Sequence, residues 1–137
     1  MITLNQYVGR WSQSPDWTEE RQANARALLA ACALLEDRMS AEGFTFPINP
    51  VTGSGVSGAT FGGFRPQSAP VGAPKSNHKI GLAVDRYDPL NKIDAWCMAN
   101  LDVLEECGIW IEHPSKTETW SHWQCVPPKS GKRVFYP

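Results

Sequence analysis

The sequence predicts an α+β domain, with helices beside a small antiparallel sheet. Three observations predict it. Residues 19–42 place apolar side chains at three- and four-residue steps, as a long amphipathic helix does. A second such pattern begins after residue 88. Short β-prone runs at 82–87, 109–111 and 120–125 lie between turn-forming residues. With 137 residues, 42% of them hydrophobic and 20% charged, a single soluble domain over 1–137 has enough chain to bury its own core.

In order along the chain, residues 1–17 read as an irregular lead-in with Trp11, Pro15 and Trp17. Thr18 is the expected N-cap, and Glu19 and Glu20 sit in the electropositive first turn. Ala23, Ala27, Leu28, Ala31, Leu34, Leu35 and Met39 then mark a scaffold helix that stops at Gly43. Residues 44–75 are rich in Gly, Pro and Ser but carry Phe44, Phe46, Val51, Val56, Phe61 and Phe64. They read as loops with short strands, not as a linker. Residues 53–58 match G-x-G-x-x-G, but no βαβ unit surrounds them, so a flexible turn is expected and a dinucleotide site is not. After the 82–87 strand, Asp88-Pro89 looks like an N-cap with proline in the first turn. The helix it opens should run to Cys107, with Leu90, Ile93, Cys97, Leu101 and Leu104 on the buried face. Asn91, Asp94, Asp102 and Glu105 point away, and Gly108 ends it. The tail, 127–137, is basic and aromatic.

A net charge of −1 gives no electrostatic reason to expect nucleic acid. No apolar run reaches the roughly 18 residues of a membrane span. The first eleven residues lack a basic region followed by an apolar block, so a cytoplasmic start without a signal peptide is expected. Cys32, Cys97, Cys107 and Cys125 form no C-x-x-C pair and are expected reduced, mostly in the core. On one helix, Cys97 and Cys107 would stand about 15 Å apart, too far for a disulfide.

The chemistry concentrates in the stretch from Ser76 to Asp85. His78 and Asp85 lie seven residues apart, and His122 follows far downstream. Two imidazoles and a carboxylate are a standard ligand set for a catalytic zinc, which keeps one position open. An odd separation of seven puts His78 and Asp85 on opposite faces of a strand. Gly81 resolves this if it makes a turn that leaves His78 on a loop and Asp85 on the strand proper. Ala83 is small and leaves room beside the metal.

S-x-H-x-x-G-x-A-x-D over 76–85, a late W-x-H over 120–122, and Gly62-Gly63-Phe64-Arg65 upstream occur here in one order. Together they resemble the zinc D-Ala-D-Ala carboxypeptidase and endopeptidase family of peptidoglycan peptidases, among which phage endolysins are common. The resemblance covers roughly residues 44–125. It implies a hedgehog/DD-peptidase fold, zinc bound by His78, Asp85 and His122, and Arg65 as a substrate or oxyanion contact. The implied partner is the peptide part of peptidoglycan, met by a monomer after release or export from the cell. Ser76 is expected to orient the loop or touch substrate. Arg65 would bind a substrate carboxylate bidentately or stabilise an anionic intermediate.

Hydrolysis also needs a general base. Many family members carry it in E-x-x-H or D-x-x-H, a position held here by Thr119. Glu118, four residues before His122, is the first choice, provided that residues 114–119 bend back toward the metal. Glu112 and His113 are the alternatives. Trp96, Trp110, Trp120 and Trp123 are read as core residues before cleft residues. The competing functional class is a non-catalytic zinc-binding or virion structural module of the same fold.

Overall fold

A computed structural model describes residues 1–137. Its elements are α1 (Leu4–Val8), α2 (Glu19–Ala41), β1 (Ala83–Tyr87), α3 (Lys92–Ala99), α4 (Leu101–Cys107), β2 (Trp110–Glu112), β3 (Trp120–Gln124) and β4 (Val134–Phe135). Single 3-10 turns occupy Gly9–Trp11, Asn77–Ile80 and Pro114–Lys116. The architecture is a mixed α and β fold with a small open four-stranded sheet, in agreement with the α+β expectation. No helix is long and apolar enough to cross a membrane.

The lead-in is more regular than expected. Thr3 and Gln6 form a reciprocal capping box, which starts α1 at Leu4. Thr18 caps α2 as expected, its hydroxyl accepting from the Arg21 amide. The buried stripe of α2 is Ala25, Leu28, Cys32, Leu35 and Met39, whereas Ala23, Ala27 and Leu34 face solvent. Residues 53–58 do form a turn, but a bonded one. The Asn49 side-chain amide donates to the carbonyls of Val56 and Gly58 at 3.0 and 2.8 Å.

The expected 88–107 helix is two helices. The Asp88 carboxylate accepts from the amides of Ile93 and Asp94, so the helix starts at Lys92, after Asn91 in the left-handed region. Asn100 leaves helical geometry, and its side chain donates back to the Trp96 carbonyl. Each break resets the helical phase. Leu90 and Leu101 are consequently exposed, and Asp94, expected to face outward, is buried. Cys97 and Cys107 thus lie on different helices; both are buried and free, as is Cys32, while Cys125 is half-buried.

The sheet order is β1-β3-β2-β4. β1 and β2 both run antiparallel to β3, but β4, drawn from the tail, runs parallel to β2, so the sheet is not purely antiparallel. The register pairs Val84 with Trp123, Asp85 with His122, and Ile111 with Trp123. Alternation along each strand gives the sheet two unlike faces. Val84, Trp123 and Ile111 pack into the core with Leu28, Leu35, Ile93 and Leu104 of the helices. Asp85 and His122 point from the other face.

The helix-side face also holds two buried polar links. Arg86 forms an ion pair with Glu36 of α2, and its guanidinium lies between the rings of Phe46 and Trp123 at 4.7 and 4.8 Å. Asp94 of α3 accepts from Thr117 at 2.7 Å. Removing one partner of a buried pair leaves the other charge without compensation, at a cost of about 3–5 kcal/mol. Glu36→Ala should therefore lower unfolding stability by about that amount in denaturant titrations, and Glu36→Gln by less.

Burial raises the Asp94 pKa from its ordinary value to about 6, opposed by hydrogen bonds from Ser121 and Thr117. A raised folded-state pKa contributes stability that is complete below the unfolded value near 4 and is lost as pH rises through about 6. Asp94→Asn cannot titrate. Its stability relative to wild type should rise between about pH 4 and pH 6, by at most about 3 kcal/mol, in unfolding measured across that window.

Candidate metal centre and its cleft

The site is assembled from three segments that backbone bonds hold in place. Ser76 caps the 3-10 turn that carries His78, its hydroxyl accepting from the His78 amide at 3.3 Å. Gly81 ends that turn in the left-handed region at φ 83°, and a side chain there would meet the Arg21 carbonyl. The turn puts His78 off the strand, so the odd spacing to Asp85 no longer separates them. Asp85 is fixed from its own backbone: its amide donates to Gly62 at 2.7 Å and its carbonyl accepts from Ser57 at 2.8 Å. Gly62 and Gly63 make this approach possible, because a Cβ at either would fall about 2 Å from a neighbouring carbonyl oxygen.

The side chains then meet. Asp85 Oδ1 lies 3.2 Å from His78 Nε2 and 3.0 Å from His122 Nδ1. One ligand atom from each of the three residues falls within 4.8 Å of the others. Both outer ring nitrogens have acceptors. His78 Nδ1 faces the Gly63 carbonyl at 2.8 Å, and His122 Nε2 faces Gln124 Oε1 at 2.8 Å. The inner nitrogens are therefore the ones free to give a lone pair to a shared cation. All three residues are buried, so the donors are held in a low-dielectric setting. Burial pushes the Asp85 carboxyl upward, but His78 and His122 outweigh it and hold it well below the ordinary carboxylate range. Asp85 is thus an anionic donor. Burial lowers the His122 pKa, and the bond and charge of Asp85 reverse this to a net rise. The buried His78, Asp85 and His122 group could hold a metal ion.

Arg65 is present but committed. Its Nη2 donates to Asp85 Oδ2 at 3.2 Å and its Nε to the Phe61 carbonyl at 2.7 Å. It therefore orients the carboxylate first, and only its remaining edge faces the cleft. The cleft, of about 400 Å³, is lined among others by Arg65, Ser76, Glu112 and Trp120 around the three donors. A second depression of about 340 Å³ shares Arg65, Asp85 and Trp120 and continues past the small residues Gly58, Ala59 and Gly62.

The three acidic or basic candidates for proton transfer separate clearly. Glu118 is exposed, makes no contact with the donors and lies outside the cleft. The expected bend does not occur, because Pro114–Lys116 forms a 3-10 turn and the buried Thr117 is tied to Asp94 on the helix side. His113 stacks on Tyr136 with ring centroids 4.7 Å apart and bonds to Ser115, away from the donors. Glu112 is the residue the structure brings in, with Oε1 3.6 Å from His122 Nδ1. Extending the β2–β3 register by one residue sets Glu112 opposite His122, on the same face as Asp85. Of the four tryptophans considered, Trp120 lines the cleft, whereas Trp123 is in the core and Trp96 packs against it. Gln124 was not singled out from the sequence. Its signal is the period of two, since His122-x-Gln124 on a strand shares one face.

Loss of His78 removes one of the converging nitrogens. Purified wild type dialysed against a transition metal should retain about one ion per chain, and His78→Ala should retain none tightly by metal analysis. Full occupancy in the variant would contradict the assignment. Comparison with family models, curated proteins and solved structures gave no match for this chain.

Proposed function

We propose that this chain is a zinc-dependent peptidase that hydrolyses peptide bonds in peptidoglycan stem peptides, as a carboxypeptidase or endopeptidase of the type its 62–65, 76–85 and 120–122 motifs resemble. On this reading it has a hedgehog/DD-peptidase fold and serves wall lysis, as in a phage endolysin. The small sheet with its donor group on the open face is in keeping with that fold. The observation that carries the reading is the place of Glu112: a carboxylate 3.6 Å from His122, in the same cleft as His78 and Asp85.

Two imidazole nitrogens and a carboxylate oxygen are the donor set zinc favours in hydrolytic sites. Bound there, zinc would lower the pKa of a water and polarise the scissile carbonyl. Glu112 is in reach to accept the attacking water's proton and to return it to the leaving amine. Arg65 orients Asp85 through Nη2, and its Nη1 edge is left to donate to a developing oxyanion. The adjoining depression gives the peptide chain room to continue past the reacting bond.

Glu112→Gln keeps the size and hydrogen-bonding capacity of the side chain but not the proton acceptor. It should retain zinc and lose roughly 100-fold or more in hydrolysis of muropeptides, the usual scale for a lost general base. Glu118→Gln should stay within a few-fold of wild type. The opposite ranking would move the base to the 114–119 loop. A zinc-loaded wild type that cleaves no stem peptide would remove the peptidase reading in favour of a non-catalytic binding or virion module.

A further inference from the structure

We infer that Gln124 is a positioning residue of the metal centre: it holds His122 in the tautomer that carries its proton on Nε2 and so makes Nδ1 the ligand atom. The inference rests on the metal-centre reading and adds to it the atom that binds and the side chain that selects it.

A neutral imidazole carries one ring proton, and the hydrogen bond made by one nitrogen decides which lone pair the other can offer. His122 Nε2 lies 2.8 Å from Gln124 Oε1. An amide oxygen can only accept, so Nε2 must donate. The amide could in principle be turned over, with its nitrogen toward the ring. A second bond prevents this: Gln124 Nε2 donates to the Val126 carbonyl at 2.8 Å, and that carbonyl cannot accept from an oxygen. The amide is thus held at both ends. Gln124 is also buried at 3% exposure, so water cannot easily substitute for the oxygen. Its backbone is fixed by pairing with Ala83 on one side and Trp110 on the other.

His78 shows the complementary arrangement. Its Nδ1 faces the Gly63 carbonyl, leaving Nε2 toward Asp85. The two rings therefore present different nitrogens to one point, each set by an acceptor on its far side. For His78 the acceptor is backbone and cannot be removed by mutation. For His122 it is a side chain, which makes the inference testable.

Gln124→Met is close in size and removes both polar functions, whereas Gln124→Glu keeps an oxygen acceptor. In zinc-loaded wild type, imidazole nitrogen NMR should show His122 protonated on Nε2, with Nδ1 carrying the metal-bound shift. In zinc titrations against a competing chelator, Gln124→Met should bind zinc about 10–100-fold more weakly, the usual effect of losing an outer partner of a ligating histidine. Gln124→Glu should return affinity to within a few-fold of wild type. Thermal unfolding of each variant identifies any that does not fold, and the tautomer measured in wild type stands independently of them. In zinc-loaded wild type, a ring protonated on Nδ1 and bound through Nε2, or a folded Gln124→Met with wild-type zinc affinity, overturns the role of Gln124. Failure of wild type to bind zinc at all instead overturns the zinc centre, and the chelator titration of wild type separates that outcome from the first.

Discussion

The carboxylate of Asp85 accepts from Arg65 on one oxygen and faces His78 and His122 with the other. Burying an anion costs several kcal/mol unless partners compensate. Here the partners come from the loop before Arg65, from the 3-10 turn at His78 and from β3. Meeting that requirement fixes how these three segments sit relative to β1. The close passage at Gly62-Gly63, the left-handed turn at Gly81 and the β1–β3 register all serve to bring the partners to this one group.

The next residue does the opposite work. Arg86 points from the other face of β1 into the layer between sheet and helices, where Glu36 neutralises it and Phe46 and Trp123 cover it. Adjacent residues of one short strand thus place a buried anion on one side and a buried cation on the other. A slip of one residue in register would exchange the faces and leave both charges without partners. Polar links on both faces therefore specify the β1 register more sharply than its few apolar side chains could.

The cleft face shows how a sheet can carry chemistry with little chain. Asp85, His122 and Glu112 sit on three neighbouring strands, each on the outward phase of its strand. Arg65, Ser76 and His78 arrive from loops and a turn bonded to β1 and to each other, including the Arg65 amide to the His78 carbonyl at 3.1 Å. Rigid strands supply some of the reactive groups, and bonded loops bring the others to them.

Part of the group that could hold a metal ion was legible because its information is local. The His78–Gly81–Asp85 spacing, read with the period of a strand, already pointed to a turn or bulge at Gly81 if both residues were to meet, and the long α2 helix and its Thr18 cap follow from side-chain period and capping chemistry within a few residues. What lies between elements was not legible. The bend expected at 114–119 fails because Thr117 is drawn to Asp94, a residue 23 positions earlier whose burial depends on where α3 begins. That start is set by the Asp88 side chain reaching Ile93 and Asp94, which overrode the proline signal at 89. The choice of Glu112 over Glu118 depends on strand register, and the parallel pairing of β4 with β2 depends on a non-local contact. The sequence alone determined which residues could act as donors and that His78 had to leave the strand if it was to meet Asp85, because helix period, strand alternation and turn chemistry are properties of neighbouring residues. Only the tertiary structure decided which carboxylate stands beside those donors, because register and burial are set by contacts between segments far apart in the chain.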